Sequence, residues 1–139
     1  MSNRHAVVWL DHRGATIARL SHDTSSTIHV TRPLGRRRLH VRSGVPGSGH
    51  AADDLVMFDE IAGQVADNDE ILVAGPGVAK VAFQRHVAKH HPTLALRIVG
   101  VETVDHPTSR ELTAFAREQF ARVDALNETP ANDLPPRML

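Results

Sequence analysis

Two hydrophobic rhythms alternate along this chain. Residues 5–11, HAVVWLD, are an apolar run with β-branched positions and one tryptophan, Trp9. Such a run reads as a largely buried strand. His12-Arg13-Gly14 supplies a turn. In residues 15–21, Ala15, Ile17 and Arg19 share one face while Thr16, Ala18 and Leu20 share the other, so pairing with the first run as a hairpin is expected. After a polar turn, residues 27–32 place Ile28 and Val30 on one face of a third strand.

The period then changes. Leu55, Phe58, Ile61, Ala62 and Val65 recur at helical spacing and predict a helix from Ala51 to about Ala66. Asp53 and Asp54 fall in its first turn, where carboxylates favour the helix dipole. Residues 70–74, EILVA, form a short strand that turns out through Gly75-Pro76-Gly77. A second helix is expected over 78–90 with Val78, Val81, Ala82 and Val87 inward, ended by Pro92. Residues 96–101 form another strand. Thr108 followed by Glu111 is a capping box that opens a third helix carrying Leu112, Phe115, Ala116, Phe120 and Val123. From about Ala125 the chain has three prolines and no pattern, which predicts a flexible tail over 125–139 behind one domain at 1–124.

The order is βββαβαβα. A meander followed by alternating units predicts an α/β fold, a mixed sheet with helices on its faces. It is also the element order of ribonuclease H-like folds.

Composition narrows the classes. At 139 residues the chain fits one core. It has no cysteine, which excludes disulfides and thiolate metal sites. No apolar run approaches the ~18 residues of a membrane span and no signal-peptide core opens the chain, so a soluble cytoplasmic protein without a membrane partner is expected. The formal net charge is zero, but residues 1–50 hold eight arginines against Asp11 and Asp23, while 51–139 hold eight basic residues against fourteen acids. Such a split points to an anionic partner.

Most of that basic charge lies in one segment. Between Arg32 and His50 stand Arg32, Arg36, Arg37, Arg38, His40 and Arg42, with no acid among them. Arginine forks suit phosphate bidentately, so these six are the candidate phosphate-binding residues, and RNA-binding ones under the resemblance described below. The second half of the segment, with Gly44, Pro46, Gly47 and Gly49, disfavours regular structure.

Other candidates are weaker. Gly75, Pro76, Gly77 and Lys80 stand where a phosphate cradle would, but the nucleotide P-loop pattern is absent, and a structural turn is the better reading. Asp11, Asp59 or Glu60, and Glu102 or Asp105 fall where ribonuclease H-like nucleases hold Mg²⁺. Among ten histidines, His86 and His90 have helical chelate spacing, but HVAKH lacks an intervening acid and reads as a solvated helix face. His50, with Gly49, is the candidate catalytic group, though no partner stands at triad spacing.

Taken together, the hairpin HAVVWLDHRGATIARL, the basic segment closing in glycines before a helix, the strand-turn-helix ILVAGPGVAK and the strand LRIVGVETVDH resemble a family. They are similar to the middle domain of archaeo-eukaryotic class-one peptide-chain release factors and Pelota, and to short bacterial stand-alone relatives known as translational machinery proteins. The resemblance spans about residues 5–122. It implies a ribonuclease H-like fold without the nuclease acids, no cofactor and no metal, and a ribosome or tRNA partner. In release factors the loop enters the peptidyl-transferase centre, where a Gly-Gly-Gln tripeptide promotes peptidyl-tRNA hydrolysis. Here that place reads Gly47-Ser48-Gly49-His50, without the glutamine. The implied function is therefore binding, in translation termination or ribosome rescue; the alternative is a hydrolase acting through Gly49-His50, and then a metal-dependent nuclease. The codon-reading and GTPase-recruiting domains of the larger factors are absent from the resemblance, so decoding by this chain alone is not expected.

Overall fold

The computed structural model describes residues 4–22, 24–33 and 48–128, with side chains left undescribed at 48–53 and 126–128. Arg36, Arg37, Arg38, His40 and Arg42 lie outside the described residues, as does 129–139 of the expected tail.

Among the described residues the order is β1 (His5–Leu10), β2 (Gly14–Leu20), β3 (Ser25–Thr31), α1 (Ser48–Gln64), β4 (Glu70–Gly75), α2 (Ala79–His90), α3 (Pro92–Ala95), β5 (Ile98–Thr103) and α4 (Ser109–Glu128). The strands form one sheet in the order β3-β2-β1-β4-β5. β1 pairs antiparallel with β2 and parallel with β4. β2–β3 is antiparallel and β4–β5 parallel.

The central strand explains the apolar opening run. Ala6, Val8 and Leu10 enter one core with Ile17, Ile71 and Val73 under α1 and α2. Val7 and Trp9 enter the other, with Leu20 and Leu72, against Leu112, Ala116 and Phe120 of α4. A strand covered on both faces reads as a near-continuous apolar run. β3, at the edge, has one face and is mostly exposed.

Five elements differ from the sequence reading, the first being the strand expected over 96–101, which runs instead over Ile98–Thr103. The helix expected from Ala51 begins at Ser48, so Asp54 stands beyond the first turn, which holds no acid. On that helix Met57 is buried and Leu55 is 45% exposed. On α2 the buried stripe runs through Ala79, Phe83, His86 and Val87, while Val78, Val81 and Ala82 are exposed. The largest side chain, Phe83, sets the inward face and rotates it from the expected one. Past His90, Pro92 starts the short α3, as its fixed φ suits a first helical position. Finally, α4 continues through 125–128, into the stretch expected as tail. Its capping box forms as expected: Thr108 N–H donates to Glu111 Oε1 (2.8 Å) and Glu111 N–H to Thr108 Oγ1 (3.1 Å).

Candidate functional site

The basic segment leaves β3 at Arg32 and returns at α1. Arg32 N–H donates to the Arg13 carbonyl (2.9 Å), extending the β3 register past the hairpin turn. Its guanidinium does not reach into solvent. Arg32 is 8% exposed, and its Nε lies 2.9 Å from Asp54 Oδ1 on α1. The two ends of the segment are therefore clamped by an ion pair between its entry strand and its exit helix. Gly49 and His50 stand in the first turn of that helix.

Beside this clamp lie the carboxyl ends of the parallel strands, the usual place for sites in α/β sheets. Here they are occupied by structural contacts. Asp11 Oδ1 accepts from the N–H groups of Arg13 (2.9 Å) and Gly14 (3.2 Å), which caps the β1–β2 turn. Trp9 Nε1 donates to the carbonyls of Val104 (3.0 Å) and Asp105 (2.8 Å), tying β1 to the chain after β5. The His106 ring lies against Trp9, with Nδ1 2.9 Å from Asp105 Oδ1 and Nε2 3.5 Å from Asp11 Oδ2. Hydrogen bonding to Asp105, with a smaller contribution from Asp11, holds the His106 imidazole above its ordinary pKa. Gly75 is required by close approach: a Cβ there would run into the Leu10 carbonyl oxygen. Lys80 is buried and donates to the Gly77 carbonyl (2.6 Å). Its ammonium closes the turn.

The acids proposed for Mg²⁺ are not gathered: among the described residues, Asp11, Glu60 and Asp105 form no cluster of converging ligand atoms. Asp59 has another role. Its Oδ1 lies 2.6 Å from His86 Nε2 and 2.9 Å from His91 Nε2. His86 is buried, its ring tilted against that of Phe58, so it does not belong to a solvated face. Hydrogen bonds from His86 and then His91 hold the Asp59 carboxyl below the usual carboxylate range.

A fourth arrangement had no signal in the sequence. His5 Nε2 lies 2.9 Å from Glu70 Oε1 and 3.1 Å from Asp124 Oδ2, with its ring stacked on Phe120 at 4.2 Å. Arg4 stands within 3.9 Å of both carboxylates. Burial, and then the hydrogen bond with Asp124, push the Glu70 carboxyl up from its ordinary value. The partners are more than fifty residues apart, so only the fold brings them together.

Antiparallel β3-β2-β1 continued by parallel β4-β5, with helices on both faces, defines a ribonuclease H-like α/β domain. Solved structures share it. Pelota from Archaeoglobus fulgidus superposes with a TM-score of 0.61 at 17% identity, covering 92% of this chain and 36% of that one. The archaeal translation termination factor aRF1 gives 0.58 at 15% identity, over 89% of this chain and 39% of its own. Dom34 from S. cerevisiae gives 0.51 at 8% identity, over 91% and 38%. The chain thus spans well under half the length of each of these proteins. No protein-family model and no curated protein sequence matches it.

Proposed function

We propose that this domain binds ribosomes or tRNA, in translation termination or ribosome rescue, through the basic segment that follows Arg32. The observation that carries this is the Arg32–Asp54 clamp, an ion pair that joins the start of that segment to the helix that follows it. Arg32 acts as the anchor of the element. Arg36, Arg37, Arg38, His40 and Arg42 follow within ten residues and are the groups offered to phosphate. The structural neighbours support the same reading: aRF1 is described as a translation termination factor, and Dom34 as a translation termination-like factor in RNA quality control pathways. Hydrolysis through Gly49 and His50 gains no support, since both stand within a helical turn and no Gly-Gly-Gln tripeptide is present.

Ribosome co-sedimentation across a range of salt concentrations tests the proposal. Each phosphate contact contributes roughly 0.7–0.9 to the slope of log affinity against log salt. Replacing Arg36, Arg37 and Arg38 together by alanine is expected to weaken binding and flatten that slope by about 2–3. Unchanged affinity and slope would remove the segment from the mechanism.

A further inference from the structure

We propose that Asp59, His86 and His91 form a binding site for a divalent transition-metal ion, Zn²⁺ by donor type, joining α1 to the α2–α3 corner. Their three ligand atoms, one from each side chain, all lie within 4.8 Å of one another. Two imidazole nitrogens and one carboxylate oxygen are a donor set that Zn²⁺ accepts and that Mg²⁺ and Ca²⁺, which take oxygen ligands, do not prefer.

The backbone is arranged for this convergence. On an unbroken helix, residues 86 and 91 would point about 140° apart, at 100° per residue. The break at His91 (φ −135°, ψ 60°), between the end of α2 and Pro92, turns its ring back onto the carboxylate that His86 meets. Both Nε2 atoms thus face a single oxygen. A carboxylate oxygen only accepts, so each ring donates Nε2–H to it. On metal binding the Nε2 lone pairs become ligands, and each displaced proton moves to Nδ1 or to solvent.

The geometry needs a small opening. Ligands about 2.05 Å from a tetrahedral ion stand roughly 3.3 Å apart, against 2.6 and 2.9 Å between the nitrogens and Asp59 Oδ1. An opening of roughly 0.4–0.7 Å at Asp59, whose side chain is 56% exposed, accommodates it. Asp59 and His91 also line a surface depression of about 430 Å³, which leaves one side of the ion open to water or an exchangeable ligand. The second cluster, His5 with Glu70 and Asp124, is the poorer candidate because Arg4 already supplies a cation to both carboxylates.

Titration of the metal-free full chain with Co²⁺ and Zn²⁺ tests the site. Stoichiometry comes from calorimetry, and the intensity of the cobalt d–d bands reports coordination. One ion per chain is expected, with low-symmetry four- or five-coordinate bands. His91→Ala and Asp59→Asn each remove an exposed or half-exposed ligand and spare the buried His86. Each is expected to weaken binding about 100-fold or more, since even outer-shell changes cost 10–100-fold. Circular dichroism confirms that the variants remain folded. His12→Ala, at the opposite hairpin turn, is expected to bind as wild type. Binding lost in His90→Ala but kept in His91→Ala would assign the ion to the simple helical chelate and overturn the proposal. Equal affinities for wild type, His91→Ala and Asp59→Asn would overturn it as well.

Discussion

The clamp at the base of the basic segment makes a quantitative prediction. Arg32 is 8% exposed and its Nε stands 2.9 Å from Asp54 Oδ1, whose side chain is 32% exposed. A fully exposed ion pair contributes about 0–1 kcal/mol. Here one partner is nearly buried, where a lower dielectric strengthens the attraction, so a coupling of about 1–2 kcal/mol is expected. The two single changes are not equivalent. Arg32→Met keeps the packed stem and leaves Asp54 where water reaches it, at a cost of about 1–2 kcal/mol. Asp54→Ala removes a carboxylate from beside a side chain that is only 8% exposed, at about 1–3 kcal/mol.

The assay is a double-mutant cycle by urea unfolding, with Arg32→Met, Asp54→Ala and the double variant. A loss of 2 kcal/mol lowers the midpoint by about 1–2 M for a small domain. The double variant should fall well short of the summed losses. Contact-free sites add within about 0.3–0.5 kcal/mol, so additivity within that margin would refute the clamp. Ribosome binding provides a second discriminator. If Arg32 anchors the segment and does not touch phosphate, Arg32→Met keeps the wild-type salt slope, whereas the Arg36–Arg38 variant does not.

Two further outcomes follow from other contacts. Thr108→Ala removes the hydroxyl that accepts from Glu111 N–H and should cost about 1 kcal/mol of stability, measured by urea midpoint; no change would show that the capping box contributes nothing. Glu70 has a folded-state pKa raised above its unfolded value, so its contribution is fully present below the ordinary carboxylate range and is lost as pH rises through the folded value. Glu70→Gln keeps an acceptor for His5 and removes that loss: the variant should gain stability over wild type at pH 7, with the gain fading by about pH 4. A gain that is the same at both pH values would contradict the assignment.

What the sequence revealed, and what it concealed, follows from the range of each interaction. The five strands and three long helices were legible because their signals are local: period 2 or 3.6, a glycine turn, a capping box at Thr108 and Glu111. The rotation of α2 was not legible. Val78, Val81, Ala82 and Val87 make an acceptable apolar stripe, and so do Ala79, Phe83 and Val87; only packing of Phe83 against Phe58, at 5.6 Å between rings, decides between them. That rotation also buries His86. Its partner Asp59 is 27 residues away, and His91 joins it only through a helix break whose geometry Pro92 hints at but does not specify. Arg32 was conspicuous as one of a run of arginines. Its neighbour Asp54 reads as a helix-dipole acid only for a helix starting at Ala51, and the helix starts three residues earlier, at Ser48.

The partner of Arg32 changes how the charge split should be understood. A surplus of arginine in residues 1–50 and of acid in 51–139 suggested a free basic surface. Folding consumes part of it. Arg4 meets Glu70 and Asp124, Arg32 meets Asp54, and Arg19 donates to the Gln64 carbonyl at the C-terminus of α1, where a cation also complements the helix dipole. The two halves are therefore opposite in sign partly because they are each other's partners across the sheet. An electrostatic case for an anionic ligand cannot count those three arginines. It rests on Arg36, Arg37, Arg38 and Arg42, which stand between the clamp and α1 with no acid from Arg32 to His50. Concentrating the case on four residues makes it stronger, because arginines that already serve the fold would have lost affinity and stability together when mutated, and the two effects could not have been separated.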